Sequence, residues 1–187
     1  MKKEIPKIYL YHCNTKEKCD NFLNNTLELI ESNHKYDDNW LGKGMYYWDN
    51  LGNAKYWKKD KIRKNPNNKF VIIKSFVSLK KVLDLTDDDI VNIIEEVWKK
   101  LNIQDETNKD LKNKMPIGAK LDFIYEKISE IKTKYSIIKI IGINYKPKNN
   151  FFNEIKNNKI KPSSTVKVIY NVKDSTCIIK KGMIINE

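Results

Sequence analysis

His12 lies in the run KIYLYHCNT, and Tyr46 follows the Gly-x-Gly of LGKGMYYWDN. A histidine at the end of one short strand and a tyrosine after Gly-x-Gly on the next suit a flat, polyhydroxylated ligand. Imidazole offers a diol one donor and one acceptor, and the phenol ring supplies an apolar face. The chemistry this pair points to is recognition of a nucleotide cofactor. Cys13, Cys19 and Cys177 form an odd set with no C-x-x-C spacing and no histidine cluster, so they read as small buried thiols and no metal site is expected. Asp87, Asp88 and Asp89 read as a helix start, and His34 as a solvated residue of the polar stretch HKYDDNW. No G-x-G-x-x-G or Walker-type turn joins a strand to a helix, which removes the two commonest phosphate cradles.

The elements that must position this pair follow from periodicity. Ile8, Leu10 and His12 share one face of the first strand and Tyr9 and Tyr11 the other, so His12 points to the core side. Asn14 and Glu17 are placed as a helix cap and its reciprocal partner, and Cys19, Phe22, Leu23, Thr26, Leu27 and Ile30 recur at helical spacing. GKGMYYWDN is a second short strand whose glycines permit close backbone approach, with Tyr46 and Trp48 on one face and Met45 and Tyr47 on the other. A short helix over 53–59 precedes the exposed stretch IRKNPNNK, and FVIIKSFVSL is the strongest strand. Ile90, Ile93, Ile94, Val97 and Leu101 make an apolar stripe behind the Asp87–Asp88 start. QDETNKDLKNKMP is a polar connection, and one helix carries Leu121, Ile124, Tyr125, Ile128, Ile131 and Tyr135. SIIKIIGINY is a strand, and the loop NNFFNEIKNNKIKPSS leads to two closing strands in STVKVIYNV and TCIIKKGMIIN. This order lacks the alternation of a doubly wound sheet and predicts an α+β fold with a mixed, mainly antiparallel sheet and flanking helices.

A chain of 187 residues with 40% apolar content suffices for one core, and no composition break or repeat divides it, so 1–187 is expected to be a single domain. The formal charge is +12 and the pI about 9.4. Of the 36 basic residues only Arg63 is an arginine, and Asn, Ile and Lys abound throughout, which reads as global compositional drift. Recognition sites for nucleic acid favour arginine forks, so the charge alone carries little weight. The N-terminus MKKEIPKIYLYH lacks the apolar core of a secretory signal, and no run reaches bilayer-spanning length. The expectation is a soluble, cytoplasmic protein or one delivered into a target cell.

YHCNT followed by a helix, then GKGMYYWDN followed by NAKYW, resembles the ADP-ribosyltransferase superfamily in its poly(ADP-ribose)-polymerase-like, His-Tyr-Glu branch. There a strand ends H-G-[ST], a helix follows, and a G-x-G-[IV]-Y-F strand comes next. GKGMYYWDN is also similar to the G-x-G-V-Y-F-W-E signature of a group of bacterial ADP-ribosyltransferase-like proteins, as are, more loosely, FVIIKSFVSLKKVLDLTD and LDFIYEK. The resemblance implies a split β-sheet and NAD-dependent mono-ADP-ribosyl transfer to a macromolecular acceptor, protein or nucleic acid. It further implies a bacterial or phage toxin or effector, with an antitoxin or immunity protein as a candidate partner. By the same resemblance His12 and Tyr46 are the catalytic pair: His12 bonds the ribose hydroxyls of NAD and Tyr46 stacks on the nicotinamide, where cation–π attraction adds to burial. The backbone at Cys13 would hold the carboxamide and Tyr56 would add a second aromatic wall.

Breaking the nicotinamide–ribose bond builds positive charge on the sugar, which calls for a carboxylate. Two positions depart from the family pattern. Cys13 stands where the family has glycine, and STVKVIYNV puts Thr165, Lys167 and Ile169 on one face and Val166, Val168 and Tyr170 on the other, with no acid. Glu154, in the loop before it, is the nearest late glutamate. Two other functions therefore stay open: a domain of the same fold that binds a nucleotide or partner without turnover, and a basic nucleic-acid-binding module without an NAD site. The plain alternative for His12 is a core histidine satisfied by a backbone group, and Tyr47 reads as a core aromatic. Of Tyr56 and Trp57, one packs and the other borders the cleft, while KKDKIRK reads as a solvated face with target docking as the alternative.

Overall fold

The computed structural model of the protein describes residues 4–32, 40–103, 115–143 and 166–185. Burial along β3 (Phe70–Ser78) alternates with the two-residue period of a strand: Phe70 and Ile72 enter one apolar cluster, and Ile73 and Val77 the other. The other strands are β1 (Lys7–Thr15), β2 (Met45–Trp48), β4 (Val82–Asp84), β5 (Ile137–Ile143), β6 (Val166–Val172) and β7 (Ile178–Ile184). Together they form a seven-stranded sheet in the order β4-β5-β6-β2-β1-β3-β7. All neighbours run antiparallel except β4 and β5, so the α+β class and the mixed, mainly antiparallel sheet are as expected. One face is covered by α1 (Lys16–Leu23), whose Cys19 and Phe22 join Leu10, Met45, Tyr47, Ile73, Tyr170 and Val172. The other face takes α2 (Leu51–Lys64), α3 (Asp88–Ile103), α4 (Ile117–Lys127) and α5 (Ser129–Lys134) over Cys13, Trp48, Ile72, Leu83, Ile138 and Ile169. Each large side chain fully sequestered here, Phe22 among them, contributes on the order of 2 kcal/mol by leaving water.

Several boundaries differ from the sequence reading, each for a local reason. Thr15 rather than Asn14 caps α1, its hydroxyl accepting the Lys18 N–H at 3.4 Å. The helix stops at Leu23 instead of running on to Ile30, because Asn25 enters the left-handed region (φ 66°) and Asn24 Oδ1 captures both the Thr26 N–H at 3.0 Å and its hydroxyl at 2.7 Å. Ile30 is nonetheless buried, by the chain running back beside β2: Ser32 bridges Gly44. The helix predicted over 53–59 is longer at both ends. It starts on the Asn50 cap, whose Oδ1 accepts the Asn53 N–H at 2.8 Å, and it ends where Pro66 disfavours helical geometry at Asn65. IRKNPNNK is thus helical as far as Lys64. The short strand β4 was not predicted, and Ile93 of the α3 stripe is exposed. The single helix predicted through Tyr135 is two, broken where Ile128 turns extended; both pieces keep apolar side chains on the sheet. His34, Glu154, Thr165 and most of the loops QDETNKDLKNKMP and NNFFNEIKNNKIKPSS lie outside the described residues.

Candidate nucleotide-binding cleft

The Gly-x-Gly run is held by three side chains from β6, the residue just past it, and α4. Asn171 of β6 is fully buried and its amide Nδ2 donates to the carbonyls of Leu41 (3.0 Å), Gly42 (3.3 Å) and Lys43 (3.2 Å). Lys173, just past β6, donates to the carbonyls of Leu41 and Lys43 and pairs with Asp122 of α4 at 2.9 Å. Asp122 in turn accepts the Lys43 N–H. Both glycines are required by this crowding. Gly42 sits at φ +72° with Asp122 Oδ1 2.3 Å from where a Cβ would be, and Gly44 at φ +137° with Asn171 Oδ1 1.9 Å away. The close approach read into these glycines is therefore real, and it is made by a carboxylate and an amide of the same chain. From the exit of this loop Tyr46 closes back on it, its hydroxyl donating to the Gly42 carbonyl at 2.6 Å and accepting the Leu41 N–H at 3.1 Å.

His12 reaches the same place from β1. In the ladder β1 and β2 meet at Tyr11↔Trp48, and the imidazole fills the gap beyond that pair by donating from Nδ1 to the Tyr46 carbonyl at 2.7 Å. A carbonyl can only accept, so the proton is on Nδ1 and Nε2 carries the lone pair, which faces the Asn14 amide Nδ2 at 3.4 Å. Burial, with lesser contributions from Lys61 and Lys18, outweighs the Tyr46 carbonyl and pushes the imidazole down from 6.5 to about 3. The ring is neutral at any physiological pH. It packs on the Tyr47 ring at 5.6 Å. His12 and Tyr46 thus leave their strands on opposite faces and meet through ring and carbonyl.

Both residues line a cavity of about 490 Å3 that opens where β1 and β2 part. Its floor includes Cys13, Asn14, Ile30 and Ile169, its aromatic wall Trp40, Trp48, Trp57 and Phe70, and its α2 side Asp60, Lys61 and Lys64. Trp48 and Trp57 meet at 5.7 Å, and the Lys64 ammonium lies 5.9 Å from the Trp57 ring. Among the described residues Asp60 is the one carboxylate on the lining, and hydrogen bonds from Lys64 and Arg63 hold its carboxyl below the usual range. Cavities that take small ligands combine apolar walls with a few convergent polar groups, as this one does. A larger cavity of about 550 Å3, between the Lys43 loop and α4, is lined by Glu28, Glu31, Asp122, Glu126, Lys132 and Lys173 and lacks that aromatic wall.

Of the residues singled out from sequence, His12, Cys13 and Tyr46 come together on the cavity. Tyr56 does not join them, a correction to the expected second wall: its ring is covered by the Lys167 ammonium at 4.7 Å, and Trp57 is the α2 aromatic on the lining. The Cys13 thiol is buried, and burial pushes the Cys19 and Cys177 thiols up to about 12, which leaves neither as a nucleophile at neutral pH. Lys167 and Ile169 share the β6 face predicted for them, and Ile169 reaches the cavity. Sequence reasoning missed Asp60, Lys61 and Lys64; their interval from Trp57, at i+3, i+4 and i+7, is the signal that places all four on one helix face. Among the described residues no group of three His, Cys, Asp or Glu side chains could hold a metal ion, and no helix is long and apolar enough to cross a membrane. Compared with models of known protein families, with curated proteins and with solved structures, the chain matches none.

Proposed function

We propose that this chain is an NAD-dependent mono-ADP-ribosyltransferase for a macromolecular acceptor, with the cleft at His12 as the NAD site. The observation that carries the reading is the neutral His12 imidazole, fixed in one tautomer by the Tyr46 carbonyl at the edge of an aromatic-walled cavity. Its Nε2 can accept from a ribose hydroxyl, and the Asn14 amide beside it, now at a long 3.4 Å, offers a donor to the neighbouring hydroxyl. Tyr46, Trp48 and Trp57 present flat faces suited to a pyridinium and a purine. Lys61 and Lys64 place positive charge where a diphosphate would lie along α2. Loss of nicotinamide leaves an oxocarbenium-like ribose that needs negative charge, and Asp60, kept ionised by its neighbours, is the side chain on the lining able to supply it.

Two observations favour a second reading, binding without turnover. The β6 residue on the cavity is Ile169, and the carboxylate of Asp60 is already paired with Arg63 and Lys64 at 2.7 Å each, which blunts its field. Incubation of the purified chain with NAD labelled in the adenosine half, with and without cell extract, separates the two. Transferase activity releases nicotinamide and transfers label, and both fall at least tenfold in Asp60→Asn. Saturable NAD binding with no nicotinamide released at any enzyme concentration would leave the second reading standing.

A further inference from the structure

Among the described residues Asp60 is the one carboxylate on the cleft lining, and both its oxygens are taken from its own helix. Oδ1 accepts from the Arg63 guanidinium and Oδ2 from the Lys64 ammonium, each at 2.7 Å. Together the two cations, Lys64 foremost, hold the carboxyl below the usual carboxylate range. They differ in where they stand. Arg63 is 72% exposed and does not line the cavity, whereas Lys64 does, with its ammonium 5.9 Å from the Trp57 ring. Trp57, Asp60, Lys61 and Lys64, at i, i+3, i+4 and i+7, thus give one side of α2 an aromatic face, a carboxylate and two ammonium groups.

The Lys64 and Asp60 side chains are 57% and 21% exposed, and an ion pair so open to water is weak. A stronger anion within reach of Lys64 therefore displaces the carboxylate. A diphosphate is such an anion, because it carries more charge than one carboxylate, and Lys61 on the same lining adds to its attraction. Arg63, off the lining, stays on Oδ1, so the oxygen released is Oδ2, the one whose partner lines the cavity. The His12 ring is neutral and does not compete for it.

We infer that Lys64 is a specificity-determining residue: it covers the Asp60 carboxylate until a diphosphate is bound, then moves to the diphosphate and uncovers the carboxylate for the ribose. The exchange of Lys64 stands on the ion pairs, while the use made of the uncovered carboxylate rests on the transferase reading above. Cleavage is thereby coupled to the phosphorylated part of the substrate. In NAD and in nicotinamide riboside the same C1′–N bond breaks, nicotinamide leaves with the electron pair, and the ribosyl carbon bonds to an acceptor or water oxygen that gives up a proton. The riboside has no phosphate to draw Lys64 away, so it loses kcat and not only affinity.

The test supplies the phosphate separately. Nicotinamide release from nicotinamide riboside by the full chain should rise in kcat at least about fivefold when millimolar inorganic pyrophosphate is added. In Lys64→Met riboside cleavage should already be raised, and pyrophosphate should add nothing. Lys59→Met, which removes an exposed cation of α2 outside the lining, should behave as native. A second readout needs no turnover. The Asp60 carboxyl 13C signal, assigned by its loss in Asp60→Asn, titrates below the usual range in native protein; pyrophosphate should raise its midpoint to where Lys64→Met has it without pyrophosphate. The inference is overturned if pyrophosphate leaves the native midpoint in place, or if the Lys64→Met midpoint equals the native one. It is overturned equally if, in a chain that cleaves NAD, pyrophosphate leaves riboside cleavage unchanged or raises it alike in native and Lys64→Met. A native chain that releases no nicotinamide from NAD, yet shows the carboxyl midpoint moving as expected, would keep the Lys64 exchange and remove the transferase reading.

Discussion

The neutrality of His12 makes a quantitative prediction that needs no ligand. Burial lowers the imidazole from 6.5 to about 3, while in the unfolded chain it titrates near its ordinary value. Between those values the unfolded chain binds the proton and the native one does not, so native stability falls as pH drops below about 6.5 and is unaffected by this residue above it. From pH 7 to pH 5 the loss integrates to about 2 kcal/mol at 1.36 kcal/mol per unit. His12→Asn removes the titration while an amide nitrogen can still donate to the Tyr46 carbonyl. Urea unfolding of both proteins at several pH values between 5 and 7.5 gives the difference directly, because every other titrating group is common to the two and cancels. Native protein should lose about 2 kcal/mol more than His12→Asn over that range. Parallel stability curves for the two proteins would refute the claim that the ring is held neutral by burial.

Other perturbations reach the site through its supports. Lys173→Met leaves Asp122 and the Leu41 and Lys43 carbonyls without their shared donor in a position only 10% exposed; a loss of about 3 kcal/mol is expected, near a 10 °C fall in Tm for a chain of this size. Thermal unfolding that matches the native protein would contradict the assigned role. Gly44→Ala drives a Cβ to 1.9 Å from Asn171 Oδ1 at φ +137° and should destabilise by at least about 3 kcal/mol by denaturant titration, or prevent folding; a native-like midpoint would show that the loop is looser than described. Trp57→Ala should weaken NAD binding about tenfold in calorimetry, the worth of one stacked ring, while Tyr56→Ala, whose ring lies under Lys167, should leave it unchanged. The reverse ranking would exchange their places.

The strands were legible because β-branched residues alternate along them, and period two alone placed Met45 and Tyr47 opposite Tyr46 and Trp48. The α1 end was misread since Leu27 and Ile30 keep a helical interval in sequence while Asn24 and Asn25 turn the chain. The reach of α2 escaped notice for the opposite reason: KKDKIRK has no apolar stripe, and only the Asn50 cap and Pro66 mark its limits. Residue type identified His12 and Tyr46 as chemistry-bearing, but period two says which face a side chain takes and not where two strands part. The imidazole-to-carbonyl link therefore had no sequence signal. Nor had the clamp on the Gly-x-Gly loop, whose members Asp122 and Asn171 are brought from positions 79 and 130 residues away in the chain.

Contact between the His12 Nε2 and NAD is what the proposed NAD site most directly requires. Imidazole 15N spectra of the full chain, recorded at neutral pH as NAD is added, distinguish the two ring nitrogens of His12 once the His34 signals are assigned by substitution. A saturable shift of the lone-pair-bearing His12 Nε2 is expected as it accepts a hydroxyl proton from NAD, with the Nδ1–H signal held in place by Tyr46 and no shift on adding nicotinamide by itself. A His12 spectrum unmoved by millimolar NAD, or one in which the Nδ1 proton rather than Nε2 responds, would contradict it.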